Sequence, residues 1–369
     1  MRATAFTLLV GFLAGFSMIE AYLRFDDYSA HAVDYAYHEW DGRTRRVMAT
    51  AEDLADPRQA IVFLGDSMLA GIKCGPALNL AGHFSHAMHE VAPGYKAINL
   101  GSANTSVFAY LDQLQGYEAA EGTPAGVIVM LYTNDIDVIE PRMCPVADVI
   151  ERADALSPEE KAGIRRFCAG IVPGEPAASG STSWFSIGGP VDRWLHGVSY
   201  GYRFFREASA QLAVGFSGDE TIGRLRYPGL WSDLNSLEFR LIDIGLQAIR
   251  ARVRRDAIPM MVAFYPPVEH LSVDNPMYPA TERAGSELER RLGVAVLNGF
   301  DAYLDDPRAS RNMTRSLTDA HPSCLGHQIL AEWLMRKFDD IGGFDGPSLD
   351  DSSTLTATGS AIFDHAAKP

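Results

Sequence analysis

The sequence is short of positive charge. Its 32 lysines and arginines stand against 47 aspartates and glutamates, which leaves 369 residues with a formal net charge of −15. A body this acidic repels phosphate backbones, which argues against a nucleic-acid partner. Cysteine is scarce as well. Four residues are too few for a disulfide scaffold, and none is spaced Cys-x-x-Cys as paired zinc ligands are. There is no internal repeat and no phosphate loop, since Ala70-Gly71-Ile72-Lys73-Cys74 lacks the Gly-Lys-Ser/Thr ending that such a loop needs. What the chain has in quantity is apolar residues, 47% against 21% charged, enough to bury a sizeable core.

Long apolar runs are confined to the start. Residues 3–23 hold one acid, Glu20, near their end, and about 20 residues span a bilayer core. The expectation is an uncleaved signal anchor over residues 1–24. A cleaved signal peptide fits less well, because the first Ala-x-Ala tripeptide, Ala30-His31-Ala32, lies well past the run. Arg2 favours a cytoplasmic N-terminus. The remainder would then sit outside the membrane, in the periplasm or at the cell surface.

Residues 25–57 read as a connecting segment and 345–369, small and polar, as a disordered tail. Between them, five short β-prone runs lie at residues 60–64, 96–100, 126–132, 259–265 and 294–297, most of them apolar throughout. Continuous runs of this kind fit strands buried on both faces. Helical periodicity falls between them, at roughly 77–91, 106–120, 234–255, 279–292 and 324–338. Alternation of this sort predicts an α/β domain over 58–340 with a mainly parallel sheet. Residues 141–233 break the rhythm with two cysteines, a Pro/Gly/Ser-rich stretch at 170–189 and three of the five tryptophans, Trp184, Trp194 and Trp231. They read as an insertion that packs over the sheet or forms a lid.

In parallel sheets, functional residues collect beyond the carboxyl ends of the strands. Gly65-Asp66-Ser67 follows the first run, Asn99 to Ser106 (NLGSANTS) follows the second, and Thr133-Asn134-Asp135 follows the third. Asp319-Ala320-His321-Pro322 precedes the last helix. A serine nucleophile needs a base, the base needs an orienting acid, and the oxyanion needs donors. Ser67, His321, Asp319, backbone N–H groups near Gly101 and Asn104, and the Asn134 amide would supply them. The bland alternative for the first block is that Asp66 or Ser67 simply caps a helix.

These four blocks, in this order, resemble the SGNH/GDSL hydrolase family over about residues 58–338. The serine block matches at Gly65, Asp66 and Ser67, with Met68 where leucine is usual. The third block keeps its asparagine, Asn134, and has Tyr132 in place of glycine. Asn104 stands where the second block has a further glycine. The acid normally three before the histidine is Thr318 here, which leaves Asp319, two before it, with Asp301 as the next candidate. The resemblance implies a flavodoxin-like three-layer α/β/α sandwich, ester hydrolysis or acyl transfer through an acyl-enzyme, and neither cofactor nor metal.

Other signals carry less. Gly197-Val198-Ser199-Tyr200-Gly201 has the letters of a nucleophile elbow but no buried strand before it. His83, His86 and His89 share a helix, yet the first and last point about 120° apart, which suits no single ion. His327 reads as a structural residue on the last helix. Four cysteines allow three pairings; in an oxidising compartment Cys144 with Cys168 and Cys74 with Cys324 is the favoured set. The expected function is hydrolysis of O-acyl esters, acetyl foremost, on envelope carbohydrates. The alternatives are an O-acyltransferase on exported glycans, or a membrane-tethered binding domain that has lost its activity.

Overall fold

The computed structural model describes residues 15–18, 21, 35–40, 43–71, 74–102, 105–136, 144, 147–153, 155–169, 227–268, 271–310, 313–316 and 319–344. Five strands build the central sheet: β3 (Gln59–Leu64), β4 (Tyr95–Asn99), β5 (Gly126–Leu131), β6 (Met260–Phe264) and β7 (Ala295–Asn298). They lie in the order β4-β3-β5-β6-β7, every neighbouring pair parallel. The chain therefore steps from β3 to one side, returns, and continues on the other, which is the flavodoxin-like doubly wound order.

Alternation along each strand sends side chains to both faces, and both are covered. Ile61, Phe63, Ile128, Met130, Met261 and Ala263 form one core with Leu80, Phe84 and Met88 of α4 (Leu80–His89) and Leu330, Leu334 and Phe338 of α11 (Cys324–Asp340). Val62, Leu64, Val127, Val129, Val262 and Phe264 form the other. Its cover comes from α5 (Val107–Glu121), α8 (Leu237–Arg255) and α9 (Met277–Leu292). These are the three layers of the expected sandwich.

The segment read as a connector has structure of its own. Strands β1 (Tyr35–Trp40) and β2 (Arg43–Thr50) form an antiparallel hairpin that leads into α1 (Ala51–Ala55). Thr50 and Asp53 close a capping box on α1. Lys96 donates to the carbonyls of Asp53, Leu54 and Asp56, tying that end to β4. Val47 and Ala49 belong to the core. The helix expected over 77–91 is two, α3 (Gly75–Leu78) and α4. Asn79 is extended between them and caps α4 by accepting from the Gly82 N–H.

Within the insertion lie α6 (Ala147–Arg152), α7 (Pro158–Ala169) and a helical stretch at 227–232. Trp184, Trp194 and Ser199 lie outside the described residues, as does the tail 345–369. The cysteines pair as Cys74–Cys324 and Cys144–Cys168, each with Cα atoms 5.5 Å apart. Among the described residues no helix is long and apolar enough to cross a membrane. Only residues 15–18 and 21 of the expected anchor are among them.

Candidate active site

The serine turn sits at the carboxyl end of β3, where the strand order reverses. Helix α2 (Ser67–Ala70) begins there, and Asp66 is its cap, its side chain accepting from the Met68 N–H at 2.9 Å. The capping task thus belongs to Asp66. Ser67 occupies the first helical position, half-buried, while Met68, Leu69 and Ala70 are buried beneath it. Burial pushes the Asp66 carboxyl up to about 6, opposed by the Met68 N–H and by the charge of His321 close by.

The turn after β4 is built against that helix. Asn99, fully buried, donates from Nδ2 to the Leu69 carbonyl and accepts the Gly101 N–H on Oδ1, each at 2.8 Å. A Cβ on Gly101 would lie 2.7 Å from the Ala70 nitrogen, so glycine allows the two backbones to meet. Ser102 N–H donates to the Gly65 carbonyl at 3.1 Å. Gly101 was expected to offer its N–H to an oxyanion; instead that N–H is held by Asn99, and the residue's observed part is close packing. Asn104 lies outside the described residues.

The turn after β5 is a 3₁₀ helix, Thr133–Ile136. Asp135 is buried and takes the Tyr110 hydroxyl and the Tyr132 N–H, each at 2.6 Å. Trp231, with no exposed surface, donates its indole N–H to the Thr133 carbonyl at 2.9 Å and packs edge-on against Phe264. The residues on either side of Asn134 are therefore pinned inward, and Asn134 itself is exposed. Trp231 is the one tryptophan of the insertion whose place is described, and it packs over the sheet.

Strand β9 (Asp319–Pro322) pairs with β8 (Thr314–Ser316) and packs against α2. It carries the expected base and acid: His321 is half-buried and the backbone of Asp319 pairs with Ser316. The Asp319 side chain is outside what is described. Asp301, the second candidate acid, lies on α10 (Phe300–Leu304) and accepts the Tyr278 hydroxyl at 3.1 Å. The Cys74–Cys324 disulfide joins the chain seven residues after Ser67 to the chain three residues after His321. Ser67, His321 and the Asn134 turn are thus gathered at one sheet edge. Below them His327 is fully buried, and burial holds its imidazole down at about 3, with His83 and His321 adding repulsion. His83, turned into the core, is held at about 4 by burial, whereas His86 and His89 face solvent.

Asn99 and Trp231 are the supports that sequence reasoning missed. Asn99 interrupts the β-prone run at 96–100 two residues before Gly101, which is a usable signal. Trp231 gives none, because its partner lies 98 residues away.

No family model and no curated protein matches the sequence. Solved structures do. The chain is similar to TesA, at 12% identity over 76% of this chain and 98% of that one, with a TM-score of 0.38. It is similar to Axe2, an acetylxylan esterase from Geobacillus stearothermophilus, at 14% identity over 76% and 93%, TM-score 0.35. It is similar also to AlinE4, an SGNH-hydrolase family esterase, at 13% identity over 77% and 94%, TM-score 0.32.

Proposed function

We propose that this protein is a serine esterase of the SGNH type, acting on O-acyl esters of carbohydrates outside the cytoplasm. The observation that carries the reading is the packing of β9, with His321, against the helix that opens at Ser67. In this reading Ser67 Oγ attacks the ester carbonyl while His321 takes its proton. The tetrahedral oxyanion is met by the Asn134 amide and by backbone N–H groups of the serine turn and of the segment around Asn104. Collapse releases the alcohol, which leaves with the proton from His321. Water, activated by the same histidine, then frees the acid and restores Ser67. Asp319 orients the imidazole and stabilises its positive form.

Two observations support an extracytoplasmic setting. Both cysteine pairs are oxidised, as is usual in exported proteins, and residues 3–23 have the length and apolarity of an anchor. A site there meets exported glycans. The test offers an O-acetylated glycan with an unacetylated acceptor and follows the acetyl group by mass spectrometry. Free acetate is the expected product. Acetylated acceptor would mean a transferase, and the absence of both products would remove the carbohydrate reading.

A further inference from the structure

Beneath the serine turn lie two buried hydrogen bonds that the proposed chemistry does not use. The Tyr303 hydroxyl donates to the Gly326 carbonyl at 2.9 Å. A phenol has one proton, so Tyr303 has none left to give. The Tyr303 and Tyr265 side chains are buried neighbours. The Tyr265 oxygen lies 3.0 Å from His327 Nδ1. Either the phenol or the imidazole donates in that bond, according to the tautomer of the ring. All three side chains are essentially excluded from water.

The His327 imidazole reaches the nucleophile helix. Gly71 ends α2 in the left-handed conformation, at φ +55°. A Cβ there would stand 3.0 Å from His327 Nε2 and 2.8 Å from Asn79 Cβ. Tyr265 also reaches the other side of the site, since its N–H donates to the Leu131 carbonyl, just ahead of the Asn134 turn. The Tyr265–His327 pair therefore abuts the helix that carries Ser67 and is tied to the strand that leads to Asn134.

We infer that His327, held by Tyr265, is a positioning residue that seats the Ser67 helix against the strand leading to the Asn134 turn. The inference rests on the reading of Ser67 as nucleophile, and its test has one arm that does not.

The full chain is compared with Tyr265→Phe, which removes one oxygen, and with His327→Phe and His327→Asn. Asparagine can offer the Tyr265 hydroxyl either an N–H or an oxygen. In the activity arm, hydrolysis of p-nitrophenyl acetate should show kcat about tenfold or more lower for both phenylalanine variants, with KM within about twofold, because ångström-scale misplacement acts on turnover. His327→Asn should regain most of that loss, and the double phenylalanine variant should be no slower than the worse single one, since both remove the same Tyr265–His327 bond. In the second arm, amide exchange at residues 68–71 should run about tenfold faster in both phenylalanine variants, with the rest of α11 unchanged. Unaltered exchange at 68–71 in folded Tyr265→Phe would overturn the inference, as would lowered Tm with unchanged kcat. Wild type that neither hydrolyses the ester nor takes a fluorophosphonate on Ser67 would sink the esterase reading, and the exchange arm would still decide the part of His327.

Discussion

Asp66 and Ser67 are neighbours with separable tasks. Asp66 satisfies the helix start, so Ser67 is released from capping and can serve as nucleophile. Ser67→Ala is expected to lower kcat on p-nitrophenyl acetate by about three orders of magnitude or more, with no acyl-enzyme seen by intact mass. Asn134→Ala should cost about 10²–10³ in kcat and leave KM nearly unchanged, since the amide is needed only once the oxyanion forms. A pure KM effect would move Asn134 from the oxyanion to substrate binding. Asp66 makes a prediction of its own. Its carboxyl titrates near 3.8 when unfolded and near 6 when folded. Between those values the folded state holds the proton more tightly, so stability present at low pH is lost as pH rises from about 4 to about 6. Asp66→Asn keeps an oxygen for the Met68 N–H and cannot ionise. Relative to wild type, the variant's Tm should therefore rise across that window, measured by differential scanning fluorimetry at pH 4 and pH 7. A difference in Tm that is the same at both pH values would show that burial does not act on this group as described.

At the scale of elements, the strands were the most legible feature. The runs at 60–64, 126–132 and 259–265 are apolar throughout and stop at Gly65, Thr133-Asn134 and Pro266, so burial on both faces and a turn at the end are both written in them. The β1–β2 hairpin was not legible. Its strands carry polar and aromatic residues without the unbroken apolar run of the central sheet. Asn79 was read through as helix, although its side chain prefers to cap. Gly101 shows the same gap from the other side: the sequence marks a turn, and only the fold shows what passes behind it. An added methyl group at this position meets the Ala70 nitrogen at 2.7 Å and Ala70 Cα at 3.0 Å, both backbone and unable to swing aside. Gly101→Ala should destabilise by about 1–3 kcal/mol, the usual cost of forced overpacking. It should also lower kcat, because Ala70 ends the helix that starts at Ser67. Chemical denaturation and ester hydrolysis on the same sample measure both, and a variant that loses stability alone would uncouple the turn from the site.

For the whole molecule, the candidate site was legible because a parallel sheet sends the ends of its strands to one edge, and the four blocks sit at those ends or in the loop before the last helix. What the sequence could not convey is the set of long-range ties, such as Trp231 to Thr133, that hold the loops in place. The disulfides are the exception, since four cysteines leave few choices. They differ in what they enclose. Cys144–Cys168 closes a loop of 24 residues inside the insertion, and Cys74–Cys324 closes one of 250 that holds most of the sheet. Loop-closure entropy in the unfolded chain then assigns about 3.4 kcal/mol to the first and about 5.5 kcal/mol to the second. The larger loop also joins the serine turn to the strand of His321, so its loss should reach the chemistry. Cys74→Ser with Cys324→Ser is expected to lower Tm more than Cys144→Ser with Cys168→Ser, and of the two it alone should lower kcat at a temperature where both proteins remain folded. If both pairs lower Tm equally and neither alters kcat, then Ser67 and His321 are held together by the packing of β9 on α2, and the disulfide contributes nothing to the site.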